Sequence, residues 1–116
     1  MKNLYKSLAD QNEQRKKYFL KPLFYGREVK KIVEKMLPGA KVILFGSAVS
    51  GKLHPESDFD ILIVTDHHFS DIFKQSKFKL AIQKPFPNNP FEIHIATQKQ
   101  FENWYKRFIK NNYLQV

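Results

Sequence analysis

Asp58 and Asp60 stand two residues apart where a polar loop runs into the apolar segment Phe59-Asp60-Ile61-Leu62-Ile63-Val64. If that segment is a strand, side-chain alternation turns both carboxylates to one face and Phe59 and Ile61 to the other. Carboxylates held that close repel each other unless a cation lies between them. An acidic face on so apolar a strand is also costly without a metal. Oxygen donors of this kind suit Mg2+, with Mn2+ as the alternative. Upstream, Gly46-Ser47 closes a second apolar run, Lys41-Val42-Ile43-Leu44-Phe45. Glycine at that point permits a tight turn or a close backbone approach. Ser47 brings a hydroxyl and an amide, and Ala48-Val49-Ser50 can open a short helix whose first amides favour phosphate. One element for phosphate and one for the metal that bridges phosphates is the layout of metal-assisted transfer from a nucleoside triphosphate.

Other readings of the same residues are weaker. A turn with solvated carboxylates would account for Asp58 and Asp60 alone, but not for Gly46-Ser47 before them and Glu92 after them. Gly46-x-x-x-x-Gly51-Lys52 matches most of a P-loop. However, Leu53 stands where that motif needs a Ser or Thr for magnesium, and His54-Pro55 leaves no room for its helix. His94 shares a strand face with Glu92. It is either a neighbour of metal or nucleotide, or a half-exposed histidine bonded locally. His67-His68 follows the second apolar run in a loop, without a third ligand nearby, and reads as surface.

Several elements must hold these residues in place. Residues 7–20 are helix-compatible. Residues 23–37 form an amphipathic helix on Leu23, Val29, Ile32, Val33 and Met36, stopped by Pro38-Gly39 and interrupted by Gly26. Residues 41–45 and 59–64 read as buried strands. A helix over 70–84 would have Ser70 as its N-cap and Asp71 in its first turn. Pro85 to Pro90 is a loop, and residues 91–96 make a third strand. Thr97 and Gln100 then form a capping box. It opens a final helix striped by Phe101, Trp104, Tyr105, Phe108 and Ile109, a stripe that reads as core. The result is an α/β (α+β) domain: a small mixed sheet of three or more strands flanked by helices.

Composition sets outer limits. The 116 residues suit one domain. The chain has no cysteine, which excludes disulfides, zinc–thiolate sites and thiol catalysis. No apolar run is long enough to span a bilayer, and the N-terminus lacks the apolar stretch of a signal peptide, so the expected location is the cytoplasm. Net charge is +9, with the basic excess in residues 1–41 and at the C-terminus. That admits an anionic partner, nucleic acid included, on charge alone. The 11 phenylalanines point to an aromatic core. Some of Tyr18, Phe19, Phe24, Tyr25 and Tyr113 are left over for a partner surface.

Gly46-Ser47 followed by Ser57-Asp58-Phe59-Asp60 resembles the signature of the DNA polymerase β-like nucleotidyltransferases. Within that superfamily the chain is most similar to the minimal nucleotidyltransferases (MNT), many of them antitoxins encoded beside HEPN proteins. The resemblance covers residues 23–111. It implies the polymerase β-like fold for residues 23–116, behind an N-terminal helical extension, 1–22. It also implies that Gly46 and Ser47, with Ser57, hold the triphosphate of ATP or another nucleoside triphosphate. Asp58 and Asp60 would bind two Mg2+ ions, and Glu92 would supply the third carboxylate, from a later strand. A HEPN-type partner is implied as well. Two positions depart from the pattern. The third carboxylate is often Asp, and many minimal members carry Arg where this chain has Ser50, with Lys52 as the nearest replacement.

Overall fold

The computed structural model describes residues 4–52, 57–110 and 112–116. The side chains of residues 4–10 and of Phe108 lie outside that description. So does the 53–56 stretch, where Leu53 and His54-Pro55 argue against a P-loop.

Two helices lead into the sheet: α1, Leu4–Leu20, and α2, Pro22–Met36. The strands β1, Lys41–Phe45, β2, Phe59–Val64, and β3, Phe91–Ala96, fall on the bounds expected from their apolar runs. A short helix α3, Ser47–Ser50, follows β1, and α4, Ile72–Gln83, joins β2 to β3. The four-stranded sheet has the order β3-β2-β1-β4. Its last member, β4, Tyr113–Gln115, was not expected: three residues are too few to show alternation. β1 is antiparallel to both β2 and β4, whereas β2 and β3 run parallel. A parallel pair needs a crossover, and α4 supplies it.

Alternation along the strands divides the core in two. Val42, Leu44, Phe59, Ile61, Ile63, Phe91 and Ile93 face the helical layer, where Tyr18, Val29, Val33, Phe78 and Ile82 meet them. Ile43, Leu62, Val64 and Ala96 face the other way, onto Phe101 and Ile109. Gly26 has a specific reason to be glycine. A Cβ there would lie 2.8 Å from Leu44 Cδ1, so α2 approaches β1 more closely than a side chain allows. Tyr18 is 1 % exposed, and its hydroxyl donates to the Pro87 carbonyl at 2.7 Å. It is therefore a core residue and not part of a partner surface, whereas Phe24 is 53 % exposed.

Two helix readings are corrected. The N-cap of α4 is Asp71, not Ser70: its carboxylate accepts from the Lys74 amide at 2.9 Å. An ionised acceptor makes the stronger cap bond. The C-terminal helix is also not continuous. It opens as α5, Gln98–Gln100, under the expected capping box. A π-helical turn follows over Phe101–Tyr105, then α6, Lys106–Ile109. The Lys106 amide bonds back five residues to the Phe101 carbonyl. This wider turn shifts the phase of the stripe. Phe101 and Ile109 stay buried while Trp104 is 61 % exposed.

Candidate active site

The cluster of chemically active side chains lies on the sheet face opposite α1, α2 and α4. β2 begins at Phe59, so Asp58 is the last residue of the preceding loop and Asp60 the second residue of the strand. Phe59 is fully buried in the helical layer while Asp60 is half-buried, as alternation requires. The parallel register sets Asp60 beside Glu92 and Leu62 beside His94. On the other side, Phe45 of β1 stands opposite Asp60. Pairing β2 with β3 thus brings Asp60, Glu92 and His94 onto one patch, where one ligand atom from each lies within 4.8 Å of the others. His94 Nε2 is 3.3 Å from Asp60 Oδ1 and 3.8 Å from Glu92 Oε1.

Asp58 belongs to the same patch. Its side chain shares a hydrogen bond with Glu92, and that bond is the first reason the Glu92 carboxyl lies above its ordinary value. Partial burial and repulsion from Asp60 and Asp58 push the same way, and His94 opposes them. Carboxylates that share a proton in this manner are crowded beyond what they tolerate when all are ionised.

Gly46 directly follows β1 and abuts the patch at Asp60. Its φ is 65°, the left-handed region that favours glycine. A Cβ on it would run into Asp60 Oδ2. This turn starts α3, which Ala48 fastens into the core, leaving Ser47 half-buried and Ser50 exposed. Phe45, Gly46, Ser50, Asp60, Ile109 and Asn112 line a cleft of about 370 Å3. Larger hollows, about 570 and 450 Å3, lie around Lys41, His67 and Lys74, but no carboxylate cluster lines them.

The structure therefore gathers Asp60, Glu92 and His94, with Asp58 reaching Glu92 and Gly46 against Asp60. Lys52 is exposed, and its amide donates to Ser50 Oγ at 3.3 Å. The carbonyl of Ser57 accepts from the Arg15 guanidinium at 3.1 Å. Arg15 and the cleft-lining Phe45, Ile109 and Asn112 were not singled out from sequence. Phe45 had a signal in its place directly before Gly46. Arg15 had none, being one cation in a basic helix 42 residues away.

Comparison with known proteins agrees with this geometry. The nucleotidyltransferase domain family matches residues 27–116. A crystal structure of a proposed nucleotidyltransferase is 37 % identical with a TM-score of 0.60, over 78 % of this chain and 95 % of that one. A second, from Sulfolobus solfataricus, is also described as a proposed nucleotidyltransferase. It is 18 % identical with a TM-score of 0.55, covers 88 % of this chain and 85 % of that one, and speaks to the fold. No curated protein matches the chain. With its sheet order, its carboxylate cluster and a family match over residues 27–116, the chain belongs to the nucleotidyltransferase domain family.

Proposed function

We propose that this protein transfers a nucleoside monophosphate, AMP from ATP, to a hydroxyl acceptor. The acceptor oxygen attacks the α-phosphorus, the bond to the bridging oxygen breaks, pyrophosphate leaves, and the hydroxyl proton passes to solvent or a carboxylate. The observation that carries this reading is the meeting of Asp58, Asp60 and Glu92 beside the Gly46 turn. Gly46 and Ser47, with Ser57 and Lys52 nearby in the chain, are assigned to the triphosphate. The glycine leaves the backbone bare where phosphate oxygens must come close.

The donor set fits divalent cations. Three carboxylates crowd one patch so closely that Glu92 retains its proton more readily than usual, and a cation would relieve that repulsion. Asp58, Asp60 and Glu92 would hold two such ions, which when bound neutralise charge on the phosphates and align attacking and leaving oxygens. The protein's own part is to fix the carboxylates by strand register, hold the nucleotide against Gly46, and wall the cleft with Phe45 and Ile109.

Incubation with labelled ATP, Mg2+ and candidate acceptors tests this. Wild type should transfer label, and Asp58→Asn or Asp60→Asn should reduce the rate about a hundredfold or more. Equal transfer by wild type and variants would refute the assignment. By family resemblance the acceptor is a tyrosine on a HEPN-type partner in the cytoplasm.

Ser50 favours a second reading. It lines the cleft where many minimal relatives carry arginine, so a phosphate contact is missing there. On that reading the chain is an antitoxin subunit that neutralises its partner by occlusion. Neutralisation by the Asp58→Asn/Asp60→Asn double variant at full strength would select it over catalysis.

A further inference from the structure

Sequence left His94 open between a ligand and a locally bonded histidine. We infer that His94 is a nitrogen ligand of the cation site, and that with Asp60 and Glu92 it forms a mixed set that takes Mn2+, Co2+ or Zn2+ in preference to Mg2+. This inference rests on the cation-dependent reading of the site and narrows it.

The geometry is that of a ligand set. Bonds of about 2.0–2.2 Å place neighbouring ligand atoms about 3.0–3.6 Å apart around one ion. His94 Nε2 lies 3.3 Å from Asp60 Oδ1 and 3.8 Å from Glu92 Oε1, and the three donor atoms all lie within 4.8 Å of one another, so side-chain rotation completes the set. The ring is held from behind. Its centroid is 5.4 Å from that of Phe45, which fills the space beside it and leaves Nε2 towards the carboxylates. The backbone supports the same arrangement, because Glu92 and His94 are two apart on β3 and the parallel register binds that strand to β2. His94 is only partly exposed, at 29 % of its side chain, so the donor is accessible to an ion without being free in solvent.

Ligand chemistry then decides the ion. Mg2+ demands near-octahedral oxygen and keeps its waters. Imidazole suits the transition cations, and affinity for nitrogen-bearing sites rises from Mn2+ through Co2+. A site of carboxylates alone would suit Mg2+ and Mn2+ alike. Replacing one oxygen by the His94 nitrogen shifts the preference.

Pulsed electron paramagnetic resonance of Mn2+ bound to the intact protein reads this without any turnover. Wild type should show 14N coupling from a directly bound imidazole, and His94→Gln should lose it. The chain has four histidines, so the triple variant His54→Gln/His67→Gln/His68→Gln retains His94 alone. It should keep the signal, and it serves even where His94→Gln fails to fold. In calorimetry, His94→Gln should weaken Mn2+ binding by about tenfold or more, with a much smaller effect on Mg2+. Bound Mn2+ without 14N coupling, or equal losses for both ions, would overturn the inference. It would leave the carboxylate site standing and reduce His94 to a hydrogen-bond donor for Asp60. Failure of wild type to bind either ion would overturn the cation reading beneath it as well.

Discussion

Gly46 and Asp60 act as one unit. The turn at Gly46 has a positive φ, and the Asp60 carboxylate occupies the space a Cβ would need there. Gly46→Ala therefore strains the backbone by about 1–3 kcal/mol and displaces the carboxylate. Loss of transfer should be about a hundredfold, with the fold retained by circular dichroism; unchanged kinetics would show that Asp60 does not depend on the turn. Glu92 carries a pH signature. Its folded value is raised above the ordinary 4.5, first by the bond to Asp58, so the folded state binds the proton more tightly than the unfolded chain. The resulting stabilisation is complete below the ordinary value and is lost as pH rises through the raised one. Thermal unfolding of metal-free protein, followed upward in pH from the ordinary value, should show that decline. Glu92→Gln should flatten it, and a slope unaffected by the substitution would assign it elsewhere. At this scale much was legible. Two-residue spacing predicted Asp58 and Asp60 on one face, and the family resemblance pointed to Glu92, which the register sets beside Asp60. Arg15 on the Ser57 carbonyl was not legible, because a tertiary bond across 42 residues leaves no local pattern.

Among the elements, α1 shows how far packing reaches beyond the recognised family. The family match begins at residue 27, yet Tyr18 is part of the core and packs tilted against Tyr25 and edge-on against Phe91, at 4.6 and 5.3 Å between centroids. Burial is also the main reason its phenol is held above its usual value, and its hydroxyl donates to Pro87. Tyr18→Ala should cost about 3–5 kcal/mol, whereas Tyr18→Phe should cost about 1 kcal/mol for the lost hydrogen bond. Denaturant melts separate the two, and equal small losses would mean that α1 is only draped on the domain. Residues 7–20 read as helix-compatible but not as core, since one buried tyrosine among charged residues has no periodicity. The π-helical turn was equally hidden. Spacing of three and four predicts an α-helical stripe, and only contact with the sheet shows that Trp104 has rotated out of it.

At the scale of the whole molecule, the site is assembled from parts with very different distances along the chain. β1, the loop with Gly46 and Asp58, and β2 form one antiparallel pair, so half of the site is local. Glu92 and His94 join only when β3 docks in parallel after the α4 crossover. Closing that long connection is entropically costly, and parallel pairing forms slowly. Cation binding would then report the last step of assembly. A saturating divalent cation should slow unfolding in stopped-flow measurements while leaving the refolding rate nearly unchanged, since its ligands come together after the main barrier. Faster refolding instead would mean that β3 docks early. On this account the parallel β2–β3 pair is a clasp: a folding intermediate with only the first hairpin formed would hold two aspartates and no complete site, so the chain would gain its capacity for chemistry only once its sheet had closed.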